Sequence, residues 1–332
     1  MVHPVRQRLG NVSGRAQAGA VRRGSWAENP LLGKPIVIRA ETLESLGVPR
    51  RTINHRCERG VWQMLLRGIL LLSNGEPTDE HLVQAAILHG REEAMLTGIW
   101  ALRRYGLENL PAPKDVHILL PPDRKISSAR FVHVETTTRL PSPRTRQGIP
   151  CAPVHRAVLD AVRRLKGDDT ILAIMAEAVQ RGRCTVDMLA RELDQGCSRG
   201  AAKPRRALIP LLGGARSVAE ADAWRLWQRA GLPPCHWNVK IVDGQGHHIA
   251  TPDAWADEVA LAWEIDSRKH HGQGDDYLET LARNTRYTQA GIVLLQTAPA
   301  RLRTEPDKVR AELRAAYRTA QARPRPEARI ST

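Results

Sequence analysis

Hydrophobic and polar positions change rhythm several times along the chain, and each change predicts an element. Glu41-Thr-Leu-Glu-Ser-Leu46 reads as a short helix stopped by Gly47. Pro49 suits the first position of a second helix, reaching Glu58, because its missing N–H is one that a helix start leaves unpaired anyway. Val48, Ile53 and Cys57 form the buried side of that helix and leave Arg50, Arg51, Asn54 and Arg59 facing outward. Gly60 closes it, and Val61–Leu65 and Ile69–Leu72 follow as strands across a turn at Arg67-Gly68. Helices are then expected over Asp79–Leu88 and Arg91–Tyr105, strands over His117–Leu120 and Phe131–Glu135, and helices over Val154–Leu165, Thr170–Gln180 and Val186–Leu193. In the last third, Ser217 is a helix N-cap, and Glu220 three residues on completes a capping box. That helix runs to Gly231. Strands at Trp237–Val242 and on both sides of Asp257-Glu258, a helix Asp275–Ala290, a strand Ile292–Gln296 and a helix Pro306–Gln321 follow.

These patterns predict an α+β multidomain chain. Residues 1–33 are expected to be a disordered basic arm, and 34–76 a winged helix-turn-helix. A mostly helical middle domain spans 77–195, with a basic linker over 196–216. Residues 217–321 form an α-β-β-β-α-β-α domain, and 322–332 a disordered tail.

Charge adds a partner. Across 332 residues the formal charge is +15, carried mainly by Arg, which points to a polyanion such as DNA. Residues 1–75 hold 12 Lys/Arg against 4 Asp/Glu, a local +8. Arg and Asn read base edges in the major groove, so Arg50, Arg51, Asn54 and Arg59 are candidate DNA contacts, with Arg67 reaching phosphate from the wing. The five cysteines are scattered without CxxC spacing, which speaks against a zinc finger and a disulfide framework. No membrane partner is expected, since no apolar run approaches the length of a span, and the reading is cytoplasmic. His117, His133 and His155 stand apart in sequence and read as structural histidines.

Against this basic background, residues 251–300 hold 8 Asp/Glu and 4 Lys/Arg, a local −4. Asp253 lies on the first strand of the hairpin, while Glu264 and Asp266 alternate at the end of the second and so share a face. Like charges so placed repel unless a cation lies between them, and hard divalent ions suit such oxygen donors. Asp253, Glu264 and Asp266 are therefore candidate ligands for Mg²⁺ or Mn²⁺.

Two resemblances extend this reading. Leu43, the Gly47-Val48 turn, Cys57-Glu-Arg-Gly60 and Leu66-Arg-Gly-Ile69 resemble the N-terminal domain of the AbiEi-type abortive-infection antitoxins. The element order of the middle domain is also similar to that family. The resemblance implies a winged-helix repressor, with a cognate toxin or self-association as further partners. Over residues 217–318 the chain resembles the PD-(D/E)XK nuclease superfamily, in its branch related to the very short patch repair endonucleases. Pro252-Asp253 matches the P-D, Glu264-x-Asp266 the second motif, and His271 the histidine five residues beyond it; Arg283 and Gly291 match the following helix and strand. Glu220 falls at the helix carboxylate. The restriction-endonuclease-like fold is thereby implied, with hydrolysis of a DNA phosphodiester. In that scheme Asp253, Glu264 and the Ile265 carbonyl hold one or two Mg²⁺. Asp266 completes the shell, His271 moves protons or touches phosphate, and Glu220 orients a metal-bound water. Asp266 departs from the superfamily pattern, since it stands where the water-assisting lysine is usual; Lys240 and Lys269 are the nearby substitutes. A domain that binds DNA without cutting it, in an antitoxin-like regulator, is the alternative.

Overall fold

A computed structural model describes residues 36–265 and 274–331. The architecture is mixed α+β, and the chain divides after Leu88 into two compact units. The expected disordered arm at 1–33 lies outside the described residues.

In the first unit, strand β1 (Val37–Arg39) leads into helices α1 (Ala40–Ser45) and α2 (Arg50–Glu58). Gly47 takes φ +87°, a region that a side chain resists, and lets the Val48 N–H return to the Leu43 carbonyl at 3.0 Å. Pro49 serves as the N-cap of α2 rather than its first helical residue. Strands β2 (Gln63–Leu66) and β3 (Ile69–Leu71) form a hairpin, and β1 pairs with β3 to give the order β1-β3-β2. Leu43, Val48, Ile53, Trp62, Leu70 and Leu72 form the core. Helix α3 (Asp79–Gly90) closes the unit and runs across the division.

The second unit departs from expectation first. A helix over Arg91–Tyr105 is not formed: Arg91 and Glu93 take φ of 61° and 65°, Met95–Leu96 is strand β4, and α4 begins only at Gly98 (Gly98–Arg104). Strands β5 (Val116–Leu120), β6 (Val132–Thr136), β7 (Arg144–Arg146) and β8 (Ile149–Cys151) join β4 in a five-stranded sheet, order β6-β5-β4-β8-β7. The region expected to be mainly helical, with two strands, thus carries a five-stranded mixed sheet beside its helices. Its hidden strands carry little pattern, since β4 is two residues long and β7 is an exposed Arg-Thr-Arg edge. Helices α5 (Val154–Val162), α6 (Asp168–Gln180), α7 (Val186–Gln195) and α8 (Ala202–Leu212) follow. The last occupies the expected basic linker. Its Ala207, Leu208 and Leu211 are buried, so the segment belongs to the packed body while its Lys and Arg residues face out.

Helix α9 (Val218–Ala230) starts at Ser217, whose Oγ accepts the Glu220 N–H at 3.1 Å. A single strand over Trp237–Val242 does not form. The backbone breaks at Asn238, φ 54°, so β9 (His236–Trp237) and β10 (Ile241–Val242) enter different sheets. After β11 (His248–Ala250), strands β12 (Ala254–Ala256) and β13 (Leu261–Ile265) form the antiparallel hairpin, turning over Asp257-Glu258 as expected. Helix α10 (Gly274–Gln289) carries the chain to β14 (Val293–Thr297), which pairs parallel with β13. Helices α11 (Arg301–Thr304) and α12 (Pro306–Gln321) and strand β15 (Arg329–Ile330) complete the order. The expected disordered tail is therefore ordered in part, because β15 pairs with β10.

The sheet β14-β13-β12-β9 buries both faces. Leu261, Trp263 and Ile265 point into one core with Trp227 and Leu313; Ala260, Ala262, Trp255 and Tyr287 line the other. Trp227, Trp255 and Trp263 are fully buried. Each such ring contributes about 4–6 kcal/mol of gross burial, from ~150–250 Å² at ~25 cal/mol per Å². A sheet fixed on both faces is a stiff platform for side chains at its strand ends.

Candidate functional site

The register of the hairpin makes the first arrangement. Ala254 pairs with Trp263, so the pairing extended by one step sets Asp253 opposite Glu264. Alternation puts both on the face of Trp255 and Ala262, toward α10. Asp253 Oδ2 accepts the Ile265 N–H at 2.6 Å, tying the carboxylate to the end of β13. Glu264 is 6% exposed, and its Oε1 accepts from the Tyr287 hydroxyl at 2.7 Å. Arg283, one helical turn before Tyr287 on α10, places Nε 3.9 Å from the same oxygen.

Glu220 approaches from α9. The capping box is closed on one side only: instead of bonding the Ser217 N–H, Glu220 Oε2 accepts from the Arg216 N–H (3.0 Å) and from Asn238 Nδ2 (2.7 Å). Asn238 in turn donates its backbone N–H to the Asp253 carbonyl at 3.1 Å. The left-handed break that separates β9 from β10 thus joins Glu220 to Asp253. Sequence reasoning singled out neither Asn238 nor Tyr287. The first gives no signal except an Asn able to take positive φ, and the second reads as an ordinary core aromatic.

Electrostatics follow from this crowding. Burial pushes the Asp253 carboxyl up to about 7, with the Glu220 and Glu264 charges adding to it; the Ile265 N–H and Arg283 oppose the shift. The Tyr287 hydroxyl is driven above its ordinary range by burial and by Glu264, so it stays protonated and donates. Asp266 and His271, the other two expected members, and Lys269 lie outside the described residues. Lys240 is exposed between β9 and β10.

The expected DNA contacts lie in the first unit. Arg50, Arg51, Asn54 and Arg59 of α2 and Arg67 of the hairpin turn are all exposed, and Ile53 turns inward. Arg50 makes one solvent-exposed ion pair, to Glu44 at 3.3 Å.

A second cluster overturns the reading of His117 and His133 as isolated. They are neighbours on the parallel strands β5 and β6, in register, with ring centroids 4.7 Å apart. Among the described residues, His117, His133 and Glu135 are the trio of possible metal ligands whose donor atoms lie within 4.8 Å of one another; Asp253, Glu264 and Glu220 are not so close.

No family model matches the chain, and no curated protein matches it. Among solved structures it is similar to the Rv2827c protein from Mycobacterium tuberculosis, at 18% identity and a TM-score of 0.41, over 60% of this chain and 80% of that one. Among the described residues, no helix is long and apolar enough to cross a membrane.

Proposed function

We propose that the chain is a DNA-binding protein whose C-terminal part is a Mg²⁺-dependent endonuclease-like domain that hydrolyses DNA phosphodiester bonds. The observation that carries this reading is the convergence of Asp253, Glu264 and Glu220 at one end of a buried sheet, with Asp253 pushed up to about 7. Carboxylates collected where their charge is hard to hold, with Arg283 opposing, are a donor set of hard oxygens that fits a divalent cation. Asp253 and Glu264 would hold it, and Asp266 stands two residues beyond Glu264 in the chain. A bound Mg²⁺ supplies Lewis-acid polarisation of a phosphoryl oxygen and a water of lowered pKa.

The chain's own groups have separate tasks. The Ile265 N–H orients Asp253, and the Tyr287 hydroxyl fixes Glu264. Asn238 and the Arg216 N–H hold Glu220 toward Asp253, and Arg283 offers a guanidinium for phosphate. The helix pair α1–α2 followed by the β2–β3 hairpin supports reading the first unit as a winged helix-turn-helix, with Arg50, Arg51, Asn54, Arg59 and Arg67 on DNA.

A second reading is favoured by the spread of the three carboxylates, which do not close to ligand distance. In it the protein is an antitoxin-like transcriptional regulator with a nuclease-like domain that does not cut, and its partners include a toxin or a second copy. One experiment separates the two. Purified full-length protein is incubated with supercoiled, linear and single-stranded DNA plus Mg²⁺ or Mn²⁺. Nicking or cutting that Asp253→Asn abolishes supports the nuclease. Absence of turnover on every DNA form with both metals refutes it and leaves the regulator.

A further inference from the structure

The middle sheet carries a cluster of different chemistry from the acidic one. Parallel pairing of β5 and β6 brings His117 beside His133, and Glu135 lies two residues along β6, on the same face as His133. His117 is 2% exposed; its Nε2 is turned to Glu135, whose carboxyl it holds below the usual range, and its Nδ1 makes no hydrogen bond among the described residues. Its Nε2 comes to 3.1 Å from Glu135 Oε2, close but not aligned as a donor to that oxygen. A buried imidazole nitrogen left without a partner is a position where a bound ion would satisfy a polar group.

We propose that His117, His133 and Glu135 form a binding site for a Zn²⁺-class divalent transition ion. Two imidazoles and one carboxylate are a donor set that suits zinc and its neighbours and poorly suits Mg²⁺ or Ca²⁺. Donors bonded to a tetrahedral ion at about 2.0–2.2 Å stand about 3.3–3.6 Å apart. The observed 3.1 Å contact is close to that separation, and the whole trio lies within 4.8 Å. The supporting shell is present. Arg156 Nη2 donates to Glu135 Oε1 at 3.3 Å, leaving Oε2 turned to His117, while Arg156 is itself held by Asp160 at 2.8 and 2.9 Å. Thr97 Oγ1 completes the chain with a 2.7 Å bond to Asp160. Outer partners of this kind orient metal-binding carboxylates. Gly98 leaves room for the ring: at φ +63° it has no side chain, and a Cβ there would stand 3.3 Å from His117 Nδ1. Three protein ligands leave one position for water or a ligand, and partial exposure of His133 and Glu135 gives access.

Zn²⁺ is titrated into the metal-free full chain carrying Asp253→Asn, which weakens the acidic centre without touching this one. Binding of one equivalent, resistant to excess Mg²⁺, is expected. Co²⁺ in its place is expected to give visible d–d absorption without thiolate charge-transfer bands. His133→Ala and Glu135→Gln, each checked for native circular dichroism, are expected to weaken Zn²⁺ at least tenfold. If His133→Ala does not fold, Glu135→Gln decides. Absence of saturable Zn²⁺ binding, equal competition by Mg²⁺, thiolate bands, or unchanged affinity in the folded variants would overturn the site.

Discussion

Asp253→Asn should make the metal-free protein more stable, not less, above neutral pH. An ordinary carboxyl ionises at 3.8, and Asp253 in the fold at about 7. Between those values the folded chain holds a proton that the unfolded chain has released. Stability therefore falls as pH rises through the window, by about 1.4 kcal/mol per pH unit at its steepest. Over a gap of about three units the penalty reaches an upper bound of about 4 kcal/mol, fully present above pH 7 and absent below pH 4. Asn keeps the shape and an oxygen able to accept the Ile265 N–H, so it removes the charge and leaves the tie to β13. The assay is urea unfolding of wild type and Asp253→Asn in chelator across that range. The variant-minus-wild-type difference cancels the titrating groups that do not interact with Asp253, leaving that carboxyl and its coupling to Glu220 and Glu264. It should be small near pH 4 and grow in favour of the variant toward pH 8. Mg²⁺ at pH 8 should then stabilise the wild type and leave the variant unchanged. A variant less stable at pH 8, or a difference flat with pH, would refute the crowding argument.

The buried network behind His117 makes a sharper stability prediction. Asp160 is 1% exposed and Arg156 4%, and Asp160→Ala would leave the guanidinium without its main partner. A loss of at most about 3–5 kcal/mol is expected by denaturant unfolding, because the buried guanidinium loses its closest carboxylate and keeps only Glu135 and Glu192, at 3.3 and 3.6 Å; a loss below about 1 kcal/mol would count against a native pair there. Arg50→Ala/Arg51→Ala should weaken DNA binding across sequences and shallow the log K against log salt slope by about 1 for each phosphate no longer neutralised. An unchanged slope would remove α2 from the interface.

Much of this molecule is local and therefore readable along the chain. Helices α1 and α2 and the β2–β3 hairpin bury their apolar side chains against neighbours in sequence, and periodicity reports that burial directly. The acidic hairpin was legible for a different reason: an apolar run carrying Glu264 next to its end stands out in a basic chain. What needed three dimensions is whatever distant segments share. A two-residue strand such as β4, or the polar β7, exists because partners in the sheet supply its hydrogen bonds, not because of its own pattern. Asn238 at positive φ connects Glu220 with Asp253 across 18 and 15 positions, and Tyr287 reaches Glu264 across 23. His117 and His133 look isolated until parallel pairing sets them side by side. Each of these contacts depends on strand register, which is settled by how the whole sheet buries its two faces, so no window of sequence contains it.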